Sequence, residues 1–116
     1  MGKLTTRVTD TTKGLPASGV KIALYRIGED GLEPLHSTVS NIHGTTDRAL
    51  LEGANFTSGQ YQLVFSTMAY FVRSNTPLAP IPFLDDIVIR FGVADHSQDF
   101  HLPLMISPYG YSIYRE

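Results

Sequence analysis

Val20-Lys-Ile-Ala-Leu-Tyr-Arg-Ile27, closed by the turn residues Glu29-Asp30-Gly31, is the stretch from which the architecture follows. Apolar Val20, Ile22 and Leu24 alternate with Lys21, Ala23 and Tyr25, the period of a half-buried strand. The acidic pair before Gly31 marks a hairpin into a second run over 32–39. Upstream, residues 4–8 form a first strand, ended by Asp10-Thr-Thr-Lys-Gly14-Leu-Pro16-Ala17, where glycine and proline supply turn conformations. Downstream of a polar stretch over 40–48, Gly59-Gln-Tyr-Gln-Leu-Val-Phe65 places Tyr61, Leu63 and Phe65 on one face. One short helix is expected over 67–74, with Ser66 or Thr67 as N-cap and Asn75-Thr76-Pro77 as its stop. The prolines of 77–82 lack ladder donors and read as a loop. Strands at 87–93 and 100–106 follow, then the turn-rich Ser107-Pro-Tyr-Gly-Tyr111 and a last segment over 112–116. Seven or eight short strands with one helix predict an all-β, two-sheet β-sandwich.

The chain has 116 residues, which fits a single domain over 1–116. With 42% hydrophobic and 17% charged residues it carries enough apolar surface to fold. At this size folding buries roughly two thirds of the unfolded chain's surface, so association has a stabilising part to play. A formal charge of -2 without any basic run argues against nucleic acid as a partner. No cysteine is present, which excludes disulfides and thiolate chemistry. No stretch approaches the ~18 apolar residues of a membrane span, and the first residues lack a secretory signal pattern; a soluble, cytoplasmic protein is expected.

Four histidines occur, at 36, 43, 96 and 101. His101 alternates with Phe100 and Leu102 and is the functional candidate, because histidine is the usual side chain that changes charge near neutral pH. The His96-x4-His101 spacing matches no strong zinc signature, and on a strand residues an odd number apart face opposite sides, so neither a metal nor another cofactor is expected. Asp85-Asp86 reads as a solvated turn. The terminal Tyr109-Gly-Tyr-Ser-Ile-Tyr114-Arg115 is either an aromatic last strand at the sandwich or a subunit interface, or a binding pocket. Glycine-rich phosphate loops, nucleophile elbows and His-Glu-x-x-His helices do not occur.

Several segments together resemble one family: Leu4-Thr-Thr-Arg-Val-Thr-Asp-Thr-Thr-Lys-Gly-Leu-Pro-Ala17, Gly44-Thr-Thr-Asp-Arg-Ala-Leu-Leu-Glu-Gly53, Gly59-Gln-Tyr, Tyr70-Phe71 and His101-Leu-Pro-Leu-Met-Ile-Ser-Pro-Tyr-Gly-Tyr-Ser-Ile-Tyr-Arg115. They are similar to 5-hydroxyisourate hydrolase, the transthyretin-related enzyme of urate breakdown, over nearly the whole chain. The resemblance implies the transthyretin fold, with two four-stranded sheets and a short helix after the fifth strand. It also implies a homotetramer built as a dimer of dimers, with a small-molecule site in the channel between dimers.

Carried over residue by residue, the resemblance keeps His101 and the terminal Tyr114-Arg115 and alters other positions. Arg7 stands where the family has its first-strand histidine; Thr45 takes the place of the turn arginine and His43 that of the aspartate before it. Asp99 replaces a histidine, and Glu116 follows Arg115 where the family continues Gly-Ser. The altered set implies His101, Arg7 and His43 as catalytic residues, with a cation on the first strand and an imidazole on the turn. Thr45, Asp99, Ser107, Tyr111, Tyr114 and Arg115 are the implied substrate-binding residues. Arg7 stays protonated and cannot act as a base, but it can hold an anion or oxyanion. Three functions remain open: a divergent relative acting on another small cyclic, carbonyl-rich substrate, the hydroxyisourate reaction itself in purine breakdown, and a non-catalytic binder like transthyretin.

Overall fold

The computed structural model describes residues 2–116. Nine strands form two sheets: β1 (Lys3–Asp10), β2 (Leu15–Pro16), β3 (Lys21–Gly28), β4 (Gly31–Val39), β5 (Leu51–Glu52), β6 (Gly59–Phe65), β7 (Ile87–Val93), β8 (Phe100–Ser107) and β9 (Gly110–Ile113). One sheet has the order β4-β3-β6-β7; the other runs β2-β1-β8-β9, with β5 also paired to β1. The expected sandwich is present, but with nine strands and a five-stranded sheet rather than seven or eight in two fours. The excess is β2 and β5, two residues each, too short to carry any periodicity and recruited to opposite ends of the free edge of β1.

The β3–β4 hairpin pairs Gly28 with Gly31 across Glu29 and Asp30, as its acidic-glycine signature requires. Alternation then places the core: Leu4 and Val8 of β1, Ile22 and Leu24 of β3, Tyr61, Leu63 and Phe65 of β6, and Leu104 and Ile106 of β8 are fully buried between the sheets. The α-helix, α1 (Thr67–Arg73), ends one residue earlier than expected. Ser66 is its N-cap without a side-chain bond, whereas the Thr67 hydroxyl donates instead to the Asp85 carbonyl at 3.1 Å. Tyr70 and Phe71 turn into the core, and Asn75, at φ 57, takes the chain out of the helix.

Two features position the later chemistry. First, β1 and β8 are parallel, with Thr5 opposite His101, Arg7 opposite Pro103 and Thr9 opposite Met105. Second, the turn at 41–47 is fastened to β1 by the Val8 amide donating to the Gly44 carbonyl at 2.8 Å. Gly44 sits at φ +79, and a Cβ there would collide with the Val8 carbonyl. Gly44→Ala is therefore expected to cost on the order of 1–3 kcal/mol, read as a lowered urea midpoint, and to loosen the turn that carries His43 and Thr45.

Candidate functional site

Thr5, Arg7 and Thr9 of β1, which are not in the core, share the outer face of their sheet with His101, Pro103 and Met105 of β8. Antiparallel pairing with β9 puts Ser112 opposite Met105 and Gly110 opposite Ser107. The ladder continues past β9, since the Glu116 amide donates to the His101 carbonyl at 2.8 Å. Three rows therefore cross the sheet: Thr5–His101–Glu116, Arg7–Pro103–Tyr114 and Thr9–Met105–Ser112. A strand histidine, a guanidinium, a phenol and a carboxylate thus stand on one face, with the guanidinium on one side of β8 and the phenol and carboxylate on the other, each one strand spacing from β8.

His101 has a polar neighbour at each ring nitrogen and is hydrogen-bonded at Nδ1 alone among the described residues. Nδ1 is 2.8 Å from the Thr5 hydroxyl, and Nε2 lies 3.8 Å from the Glu116 carboxylate. Arg7 is exposed and its guanidinium has no hydrogen bond or ion pair among the described residues. Tyr114 is 50% exposed. The face is open, and a surface cleft of about 620 Å³ lined by Arg26, Glu33, His36, Arg48 and Glu52 contains neither His101 nor Arg7. A cleft's size is the weaker guide here, because the groups able to move a proton and hold an anion converge on the flat face.

The other expected residues fall into three groups. His43 and Thr45 sit on the turn fastened beside Val8, next to Arg7 along the chain of β1. The His43 ring is exposed, while the Thr45 hydroxyl is engaged by Asn41 Oδ1 at 3.2 Å. Asn41 also accepts from the His43 amide at 2.9 Å and donates to Asp47 at 3.0 Å, so it organises the whole turn. Asp99 accepts from the Lys3 amide at 3.1 Å, and Arg115 reaches back to Gln98 Oε1 at 2.8 Å with its guanidinium 4.0 Å above the Phe100 ring. Both fasten strand ends and lie off the His101 rows. Ser107 donates to the Gly110 carbonyl at 3.2 Å and shapes the β8–β9 turn.

Tyr111 is not brought to the site face. It pairs with buried Ile106, and directly opposed residues share a face, so it lies on the core side at the sheet's edge. Nor are the tyrosines tucked into the sandwich: Tyr109 is 67% exposed and stacks on Phe83. The parity argument for His96 also needs correction, because residues 94–99 form a turn between β7 and β8 rather than a strand. Ser97 bonds hold the Asp95 carboxyl below its usual range, and His96 Nδ1 lies 3.2 Å from the Ser58 hydroxyl. No group of three or more potential metal ligands occurs among the described residues.

Two residues of the site went unread in the sequence. Thr5 carried a signal, since it is two positions from Arg7 and therefore on its face of β1, but its pairing with His101 depends on the parallel register. Asn41, two residues before His43, has the spacing of an Asx turn.

Two packed sheets, a parallel β1–β8 pair at the centre of one of them and a short helix after β6 define a transthyretin-like sandwich. The chain belongs to the HIUase/Transthyretin family, whose model it matches over residues 4–116. It is 47% identical to a 5-hydroxyisourate hydrolase of Mesorhizobium japonicum over 98% of this chain and 91% of that protein. Among solved structures it superposes on a 5-hydroxyisourate hydrolase of Klebsiella pneumoniae with a TM-score of 0.81 at 33% identity, covering 100% of this chain and 99% of that one. It also superposes on (S)-allantoin synthase with a TM-score of 0.94 at 36% identity, where 99% of this chain corresponds to 43% of that protein. No helix is long and apolar enough to cross a membrane among the described residues.

Proposed function

We propose that the protein is a hydrolase-family enzyme that opens a small cyclic, carbonyl-rich substrate on the outer face of the β1-β8-β9 sheet. His101 moves the proton, and Arg7 holds the negative charge that develops on the ring or its carbonyl oxygen. The observation that carries this reading is the convergence of His101, Arg7, Tyr114 and Glu116 in two adjacent rows of one face. An imidazole and a fixed cation on neighbouring rows are the minimum for water attack on a polarised carbonyl. Arg7 has a planar fork suited to a carboxylate or an enolate-like edge. His43, on the turn beside Arg7, supplies a second imidazole.

A flat face does not exclude water, so the reading includes a second copy of the chain packed over it, in a homotetramer built as a dimer of dimers. Light scattering is expected to give four times the 12.8 kDa chain mass at micromolar concentration. A monomer would remove the enclosed site.

The substrate class is tested with freshly generated 5-hydroxyisourate, followed by the loss of its ultraviolet absorbance with and without protein, alongside related ureide rings. Turnover of the hydroxyisourate itself is the second reading, favoured by 47% identity to a hydrolase of that name over nearly the whole chain. Turnover of other rings only would identify a divergent enzyme, and tight binding without turnover of any would identify a carrier. Arg7→Ala is expected to raise KM by about 10-fold or more, and Arg7→Lys to recover part of it, since lysine keeps the charge but not the fork.

A further inference from the structure

We propose that Thr5 is the positioning residue of this site: its hydroxyl donates to Nδ1 of His101 and fixes the neutral ring with its proton on Nε2, turned toward Glu116. The inference rests on the reading of His101 as the group that moves the proton, and it specifies in which form the ring meets a ligand.

The hydroxyl of Thr5 has one partner among the described residues, His101 Nδ1 at 2.8 Å. Its neighbours on β1 and the following turn behave differently: Thr6 and Thr11 donate to the carbonyls of Leu102 and Ile106. Thr5 has no such carbonyl, and it is partly buried against β8. A part-buried hydroxyl that fails to donate loses a hydrogen bond it could have made to water. Nδ1 is its available acceptor, and a nitrogen that accepts is not the protonated one. The other side of the ring agrees. Glu116 Oε2 lies 3.8 Å from Nε2, where a carboxylate attracts an N–H and repels a lone pair. Glu116 is held there by its own amide bond to the His101 carbonyl. Both neighbours of the imidazole therefore select the same tautomer. In its neutral form His101 presents an N–H that donates a hydrogen bond to a developing oxyanion, and a proton given to a leaving ring nitrogen comes from the doubly protonated ring, which returns to neutral on losing it.

The test is a long-range proton–nitrogen correlation on protein labelled with 15N-histidine, at a pH of about 8.5 where an ordinary imidazole is neutral. The four histidines are assigned by the signals missing from single His→Asn variants. The expected result is Nε2–H for His101 in the unaltered protein, a shift of the population toward Nδ1–H in Thr5→Val, and its return in Thr5→Ser. Thr5→Val is also expected to lower kcat by about 10-fold with KM unchanged, the usual scale for a residue that orients another. A purely structural role would not move the tautomer. An Nδ1–H ring in the unaltered protein overturns the inference without any variant, as does an unchanged tautomer in Thr5→Val. Failure of the proton-transfer reading shows separately, as full turnover in a protein that lacks His101.

Discussion

His101→Ala is expected to lower turnover of the true substrate by about 100-fold or more, the scale of a lost general acid or base. The fold should survive. His101 lies on the outer face of its sheet and its removal opens no core cavity, so the urea midpoint of the variant is expected to match that of the unaltered protein. His101→Gln tests the alternative that the ring only binds, because an amide can donate and accept hydrogen bonds but does not exchange a proton near neutrality. Equal damage in both variants favours proton transfer; recovery in His101→Gln favours a hydrogen-bonding role. His43→Ala sorts the second imidazole. Its ring is exposed and bound to nothing among the described residues, so any loss of turnover there reports on chemistry rather than on packing. If His101→Ala and Arg7→Ala both leave turnover unchanged, the assignment of the outer face as the active site fails.

The fold was largely legible because burial alternates on strands. The runs 59–65 and 87–93 were read to the residue, and 67–74 to within one, since period-2 patterns and a helix stop signal are local. What stayed hidden was non-local. Nothing in the sequence around Leu4 says that β1 lies parallel to a strand 96 positions away, yet that register alone creates the Thr5–His101 and Arg7–Pro103 rows. The β2 and β5 strands are two residues long and exist only because β1 has an open edge. For the site, residue chemistry singled out His101 and the tyrosine-rich end, whereas Arg7, His43 and Thr45 drew notice only through the family resemblance. Tyr111 pairs with Ile106 and Ser112 with Met105, and neighbours on a strand face opposite sides, a parity that depends on the β8–β9 register. Asp10 looked like a turn residue, and its burial could not be foreseen because its partner Tyr70 arrives on the helix.

That Asp10–Tyr70 pair is where the largest loss of stability is expected. Asp10 is fully buried at the end of β1, with Oδ2 accepting from the Tyr70 hydroxyl at 2.8 Å and Oδ1 from the Thr12 amide at 2.9 Å. It ties α1 to the sheet that carries the site. Asp10→Ala takes the acceptor from the Tyr70 hydroxyl and from the Thr12 and Lys13 amides and is expected to cost about 3 kcal/mol or more, whereas Tyr70→Phe removes one charge-assisted bond and is expected to cost about 1.5–3 kcal/mol. The pair also predicts a pH dependence of definite sign. Burial, and then the bond to Asp10 and its charge, push the Tyr70 hydroxyl up from an ordinary value of 10.0 to about 12. The folded pKa exceeds the unfolded one, so the folded state favours the neutral phenol. Its contribution is fully present below about pH 10 and is lost as pH rises through about 12, a span of two pH units or about 3 kcal/mol. Urea unfolding across that alkaline range is expected to show the unaltered protein losing more stability than Tyr70→Phe, so that the gap between them closes as the pH rises. Parallel curves would mean that the phenol titrates alike in folded and unfolded chains, and that the helix is tied to β1 by the burial of Tyr70 and Phe71 alone.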